Sequence, residues 1–458
     1  MPPTRRLDIV LDSVRRLQRM GATGNLVNLL QKQYPADLAQ VFSELQDRER
    51  RATFSLLLER NSRLAAETIA ELGPDIAAEL LAGRPAEEIA RLVQELPSDD
   101  AAAIIDNLPE ALSNAVVDLI KPKPGGGVEE LLEYPEQTAG RIMNPNVFAL
   151  SEDLTAGESI TELQTSREVE MVFYLYVVDA RRHLVGVVSL RRLLLVTPDT
   201  PLKRIMTTDL IAVRDDVDQE EVARLVASYN LLAVPVTDAE NKLVGVITVD
   251  DVIDVIKDEA TEDVFRLAGI SIEDGALTPP LESLKRRLPW LGVNLVTAFA
   301  ASFVVSKFEG TIGIVPALAM FMPIVAGMGG NAATQTLTVI VRGIALGEVS
   351  FSNARKALMK EGLVGLGNGV ALGIIAGFVA YLIRPDTAIG WWIGPVLGVS
   401  MIINMFIAAT AGTLIPLGLR ALKIDPALAS SVFITTLTDV FGFLVFLGLA
   451  ALSLQQLG

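Results

Sequence analysis

Polar and apolar positions are segregated along this chain. Up to Arg287 the apolar residues recur at helical or alternating spacing among charged ones, and from Leu288 onward they form long runs. About twenty apolar residues cross a bilayer core. By that ruler the second part predicts spans at 288–306, 314–341, 363–383, 391–419 and 427–452. The second and fourth are over-long, and Pro316, Pro323, Pro395 and Pro416 predict kinks or broken ends. Trp391 and Trp392 open the fourth span, where interface anchors belong.

The first part carries repeats. Arg141-Ile142-Met143 recurs as Arg204-Ile205-Met206, and Leu-Val-Gly-Val-Val-Ser-Leu-Arg-Arg-Leu-Leu at 184–194 recurs as Leu-Val-Gly-Val-Ile-Thr-Val-Asp-Asp-Val-Ile at 243–253. Each copy predicts strand, helix, strand (173–178 and 233–236), turn, strand and helix. This duplication resembles a pair of CBS domains. In that family a Ser/Thr and a nearby Asp contact a nucleotide's ribose and phosphate, which the resemblance carries to Thr248 and Asp251. In the first copy Ser189 is followed by Arg191 and Arg192 where the family's Asp would stand. Arg191 is still placed to meet phosphate, and Tyr174 completes the candidate set. ATP in the cleft and a purely structural dimerisation module are both open readings. Upstream, Leu72-Gly-Pro-Asp and Leu96-Pro-Ser-Asp echo each other before helical apolar spacing, which predicts short stacked helices with Asp at their starts. Residues 122–127 (Pro-Lys-Pro-Gly-Gly-Gly) read as a linker.

Composition sharpens this division. The chain is 50% hydrophobic yet 21% charged. Through Arg287 there are 31 Lys+Arg against 49 Asp+Glu, and beyond it 8 against 6. An acidic, water-compatible portion thus precedes an apolar one. Residues 1–19 hold no uninterrupted apolar stretch, which predicts no secretory signal and a cytoplasmic first half. Lys285, Arg286, Arg287, Arg342, Arg355, Lys356, Lys360, Arg420 and Lys423 then fall on the first half's side, and only Lys307 and Arg384 opposite. That bias predicts a cytoplasmic N terminus and an outside C terminus. Having no cysteine excludes thiolate metal sites, and the lone His183 argues against His-based zinc sites or acid–base catalysis. The acidic balance argues against nucleic acid as a partner and for divalent cations.

The spans hold one conspicuous ionisable residue, Asp439, ringed by Thr435, Thr436 and Thr438. A carboxylate at that depth costs several kcal/mol unless it faces water or a cation. In the second span Gly327, Gly329 and Gly330 allow close helix approach, and Asn331, Thr334, Gln335 and Thr338 recur at helical spacing. Beside Asp439 this seam reads as a pore lining. One carboxylate with neutral oxygens suits Mg2+, which keeps several of its waters, better than Ca2+. Before the first span, Asp250, Asp251, Asp254, Asp258, Glu259, Glu262 and Asp263 crowd one predicted helix, 249–267, whose apolar side is Val252, Ile253, Val255, Ile256, Val264 and Phe265. Like charges so spaced repel. Divalent ions between this helix and another acidic surface such as Asp99 and Asp100 relieve that repulsion.

Taken together, Gly329-Gly330-Asn331, the Thr-Asp-Val-Phe-Gly motif at Asp439, and the order of parts resemble the MgtE family of magnesium channels along essentially the whole chain. The resemblance implies a multi-domain membrane protein: an all-α helical-repeat N domain (1–127), an α/β tandem CBS pair (128–248), an acidic plug helix and linker (249–287) and an α-helical transmembrane domain of five spans (288–458). It implies a homodimer in the cell membrane with Mg2+ held by Asp439, Asn331, Gly330, Thr334 and Thr435. Regulatory Mg2+ would be held by Asp99, Asp100, Glu220, Asp250, Asp251, Asp254, Glu259, Glu262, Asp263 and Asp425. Asn230 stands where the family supplies a carboxylate. The expected function is Mg2+ uptake closed by intracellular Mg2+, not enzymatic turnover. The alternative is a CBS-regulated, proton-coupled transporter of Mg2+, Co2+ or Mn2+, because a lone Asp can also relay a proton.

Overall fold

The computed structural model describes residues 3–120, 127–166, 174–271, 274–275, 278–383, 390–429 and 431–457. The expected linker lies outside the described residues except for Gly127, as do Phe173 and Arg384. The chain forms two compact units, Met1–Ile256 and Lys257–Gly458.

The first unit opens with short helices: α1 (Pro3–Arg19), α2 (Thr23–Leu30), α3 (Pro35–Glu44), α4 (Asp47–Arg60), α5 (Ser62–Glu71), α6 (Pro74–Leu81), α7 (Ala86–Val93), α8 (Ser98–Asp106), α9 (Glu110–Val117) and α10 (Val128–Glu133). Pro85, Pro97 and Pro109 stand at the N-caps of α7, α8 and α9. Each proline ends one helix and presets the next without losing a needed N–H. The inward faces are apolar, with Phe42, Phe54, Leu57, Ile69, Leu81 and Ile105 wholly buried.

After α11 (Ala139–Ile142), two matching modules follow. The first is β1 (Ala149–Ser151), α12 (Ala156–Thr165), β2 (Tyr174–Val178), β3 (Leu184–Ser189) and α13 (Leu190–Leu194). After α14 (Leu202–Ile205) the second is β4 (Val213–Arg214), α15 (Gln219–Tyr229), β5 (Ala233–Thr237), β6 (Leu243–Thr248) and α16 (Val249–Leu267). β1 pairs parallel with β2 and β2 antiparallel with β3; β4, β5 and β6 repeat this in the same register, Tyr174 opposite Ser189 and Ala233 opposite Thr248. The recurring Arg-Ile-Met segments are exchanged: Met143 packs on Gly245 of the second module and Met206 on Gly186 of the first. A Cβ at Gly245 would lie 2.5 Å from the Met143 sulfur, so a larger residue there would push the thioether aside.

The second unit contains five helices long and apolar enough to cross a membrane: α17 (Pro280–Ser306), α19 (Leu318–Ala345), α20 (Ala354–Ile383), α21 (Gly390–Ala421) and α22 (Ser431–Leu457), with short α18 (Glu309–Ile314) before α19. The expected count holds, with shifted boundaries. The second span begins after a break at Pro316, and the fifth begins at Ser431 because Pro426–Ala429 is a 3-10 turn. Pro395 and Pro416 lie inside a continuous α21. Trp391 is exposed as an interface anchor should be, whereas Trp392 is only 5% exposed and packs with Ile393 and Leu397 in the core.

One seam escaped the hydropathy reading. Gly365, Gly369, Gly373 and Gly377 recur every four residues on α20, and Cβ atoms there would come 2.7–2.8 Å from α21 atoms, including the Gly398 and Gly394 carbonyl oxygens. Without a hydrophobic drive between helices in lipid, such backbone contact is what binds them. Replacing Gly373 by Leu should separate the pair and destabilise the protein by about 1–3 kcal/mol, read as a lowered thermal midpoint in detergent; an unchanged midpoint counts against the seam.

Candidate ion path and acidic sensor

α19 and α22 pack through small residues. A Cβ at Gly330 would lie 3.3 Å from Thr435 Cγ2, and one at Gly329 would lie 3.3 Å from Thr438 Cβ. This brings the Gly-Gly-Asn segment of α19 against the helix that carries Asp439. Asp439 is half-buried. Among the described residues no group hydrogen-bonds or ion-pairs with its carboxylate. One face of α19 is buried through Val325, Gly329, Ala333, Thr336, Leu337 and Ile340, while Asn331, Thr334, Gln335 and Thr338 are exposed on the opposite side.

The threonine protons are already spent. Thr334 donates to the Gly330 carbonyl oxygen at 3.0 Å and Thr338 to that of Thr334 at 2.9 Å. Thr435 and Thr436 both donate to the Val432 carbonyl oxygen, at 3.2 and 2.7 Å. A hydroxyl whose hydrogen is tied to its own helix offers only lone pairs outward. Those lone pairs can accept from the waters of a hydrated cation.

Glu361 is a second intramembrane carboxylate, missed because the predicted third span starts at 363. α20 begins two turns earlier, and Glu361 is buried, 3% exposed, accepting from Thr336 Oγ1 of α19 at 3.3 Å and pairing with Lys360. Its signal in the sequence was a Lys-Glu-Gly step with no turn residue before the apolar run.

The acidic candidates fall in two groups. In the first unit Asp99 and Asp100 open α8, where the helix dipole favours negative charge. Asn144 Nδ2 approaches Asp99 Oδ1 at 3.5 Å, and Arg141 pairs with Asp106 at 2.6 Å. Burial, then the Asp251 and Asp100 carboxylates, raise the Asp99 pKa well above the ordinary carboxylate range. Asp251 is pushed up to about 6, by burial first and then by Asp250 and Asp254, although it accepts from Thr248 N–H at 3.1 Å and Thr248 Oγ1 at 2.6 Å. Asp99 and Asp251 thus face each other as like charges. Glu220 pairs with Arg224 at 3.1 Å. Asn230 caps α15 with left-handed backbone, φ 51°, which asparagine tolerates far better than a branched or bulky residue.

In the second unit Arg266 pairs with both Glu262 and Asp425. Both carboxylates are candidate Mg2+ ligands, and a guanidinium stands between them. Leu267 packs with Ala333, Leu337 and Ile434, and Trp290 stacks edge-on against Phe433 at 6.1 Å. The expected single apolar side of α16 divides: Val252 and Val255 are buried, but Ile253, Ile256 and Val264 are exposed. Among the described residues no three carboxylates converge into a metal-binding group. Tyr174 begins β2, and Arg191 is exposed on α13.

The raised Asp251 pKa has a definite sign. Over the interval from 3.8 to about 6 the folded chain holds protons that the unfolded chain releases, so in chelator stability is lost as pH rises through that interval. Asp251→Asn keeps an acceptor for Thr248 and should stabilise the protein by about 1–3 kcal/mol at pH 7.5, with little effect at pH 4. Calorimetry at both values checks this; an equal effect at both refutes it.

Comparison with known proteins agrees with this architecture. Family profiles match residues 33–137 (MgtE intracellular N domain), 139–199 and 202–258 (CBS domain) and 322–449 (MgtE, divalent cation transporter). The magnesium transporter MgtE of Thermus thermophilus is 37% identical over 74% of this chain and 74% of its own, and that of Enterococcus faecalis 36% over 72% of each. An inosine-5'-monophosphate dehydrogenase of Methanocaldococcus jannaschii matches over only 25% of this chain and 23% of its own. Among solved structures, the cytosolic domain of the Mg2+ channel MgtE in complex with ATP is 36% identical, covering 54% of this chain and 99% of that one, with a TM-score of 0.50. With two relatives above one-third identity over nearly three-quarters of each chain, and family profiles matching in the same order as the folded parts, this chain belongs to the MgtE family of magnesium transporters.

Proposed function

We propose that the protein is a homodimeric, Mg2+-selective channel whose ion path runs between two copies of α19 and α22. The observation that carries this reading is the exposed row Asn331, Thr334, Gln335 and Thr338 on α19, a helix that packs through Gly329 and Gly330 against α22, where the half-buried Asp439 has no partner among the described residues. Lipid cannot solvate such a row, and a second copy across a water-filled path can. Asp439 supplies the charge, and Asn331, Thr334, Thr435 and the Gly330 carbonyl accept from the ion's waters. Mg2+ sheds water reluctantly, so a path lined by acceptors rather than by many carboxylates passes it hydrated. The loop charges put the N terminus in the cytoplasm and the C terminus outside, and the inside-negative membrane potential would drive a divalent cation inward through such a channel.

Regulation falls to the acidic residues. Asp99, Asp100, Glu220, Asp250, Asp251 and Asp254 in the first unit, and Glu259, Glu262, Asp263 and Asp425 in the second, are oxygen donors of the kind that suits Mg2+. The fit rests on Asp99 and Asp251, whose carboxyl pKa values are raised first by burial, with the Asp251 charge adding to the shift at Asp99, so that a bound divalent cation would offset the cost of ionising them. When intracellular Mg2+ is scarce these carboxylates repel, the cytoplasmic parts loosen and the path opens. Several sites must act together, since a shift from 1:99 to 99:1 needs roughly 5.5 kcal/mol of differential binding. ATP at the CBS pair, contacting Tyr174, Arg191, Thr248 and Asp251, is the companion proposal; the ATP complex of the related cytosolic domain supports it. Because Asp251 serves in both sets, nucleotide and regulatory Mg2+ should influence each other.

Flux into vesicles with internal Mg2+ varied independently of voltage tests the whole scheme. Asp439→Ala, if folded and inserted, should lose Mg2+ uptake by at least about a hundredfold; robust uptake defeats the pore assignment. Neutralising Glu259, Glu262 and Asp263 together should weaken closure by internal Mg2+, and unchanged inhibition in that triple variant counts against the sensor.

A further inference from the structure

Asn404 lies in the middle of α21 and is 1% exposed. Its Nδ2 donates to the Val325 carbonyl oxygen of α19 at 3.0 Å, while its Oδ1 is buried with no hydrogen-bond partner. The carboxamide occupies room that two glycines leave. A Cβ at Gly329 would lie 2.3 Å from Nδ2, and one at Gly442 would lie 2.8 Å from the same nitrogen. One side chain therefore touches α19 immediately before Gly330-Asn331 and α22 one turn beyond Asp439. A leucine would fill similar space without burying an unpaired oxygen, so packing alone does not account for an amide here. The bond also falls where α19 is weakest. Gly327, Gly329 and Gly330 remove side-chain support from that stretch, and Val325 is one turn ahead of Gly329.

We propose that Asn404 is a positioning residue for cation selection: by holding the Val325 carbonyl and standing between Gly329 and Gly442, it sets the separation of α19 and α22 beside Asp439. This rests on the reading of Asp439 as the ion-holding carboxylate. Mg2+ demands a near-ideal octahedral shell, whereas Ca2+ accepts variable distances and coordination numbers. A frame held at one width thus favours Mg2+, and a loosened frame gives ground to Ca2+. Asn404 need never touch the ion to act in this way.

The test is separate Mg2+ and Ca2+ flux through full-length protein in vesicles. Asn404→Leu removes the bond to Val325 at nearly constant volume, and Gly442→Ala displaces the amide without altering it. In both the Ca2+-to-Mg2+ flux ratio should rise by at least about threefold, a change that mere loss of folded protein does not produce. An unchanged ratio, an equal fall in both fluxes, or failure of both variants to fold makes Asn404 a packing residue and overturns the proposal. Asp439→Ala in the same vesicles keeps the two ideas apart. If it conducts, the pore reading fails whatever Asn404 does; if it is silent while the Asn404 and Gly442 variants keep the wild-type ratio, only the present inference falls.

Discussion

A polar atom inside hydrocarbon has no water to turn to, and that constraint organises the membrane-spanning part of this protein. Most of its polar side chains comply by spending their protons on their own helix, as Thr410 does on Phe406 and Ser400 on Val396. Asn331 and Gln335 on α19 and Asp439 on α22 depart from that rule, being exposed or half-buried without such an arrangement. Their concentration on two helices that pack through Gly329 and Gly330 is why an ion path between copies is a more economical reading than scattered packing defects.

The same electrostatic reasoning, applied in water, organises the acidic residues. Asp99 and Asp251 are buried by the packing around them, which raises the cost of ionising each, and the Asp251 charge adds to that cost at Asp99. In the second unit the repulsion is answered internally, by the Arg266 guanidinium between Glu262 and Asp425. A tethered cation costs no concentration to bind, so any free divalent ion at Asp425 has to displace or join it. Among the described residues Asp99 and Asp251 have no such ion pair, so they differ from Glu262 and Asp425 and have more to gain from a cation.

Much of this was legible from the residues. Long apolar runs identify spans because the bilayer imposes a length, and the repeat at Leu184 and Leu243 identifies duplicated modules because identical registers need identical alternation. What escaped was information that lives in pairs of distant residues. Helix starts moved to Ala354, which takes in Glu361, and to Ser431, because hydropathy sees apolar content, not hydrogen bonding. The exchange of Met143 and Met206 between modules, the glycine ladder facing Gly394 and Gly398, and the Arg266–Asp425 pair all join segments far apart in the chain. Ile253 and Ile256 misled because a helix with two apolar edges looks, in projection, like one with a broad face.

The proton-coupled alternative also meets this chemistry. A proton relay needs groups that both accept and hand on hydrogen, and a lone carboxylate must find such a group within reach. Around Asp439 the nearest candidates by sequence are Thr435, Thr436 and Thr438, whose hydrogens are committed to the carbonyls of Val432 and Thr435. To pass a proton, each would first have to break that bond and turn its hydrogen outward. As acceptors toward a hydrated cation they need break nothing. The same geometry that makes these hydroxyls poor couriers leaves the lone pairs of the half-buried Thr435 and Thr436, though not of the fully buried Thr438, free to accept from the waters of a cation, and on this asymmetry we prefer the channel reading to the coupled one.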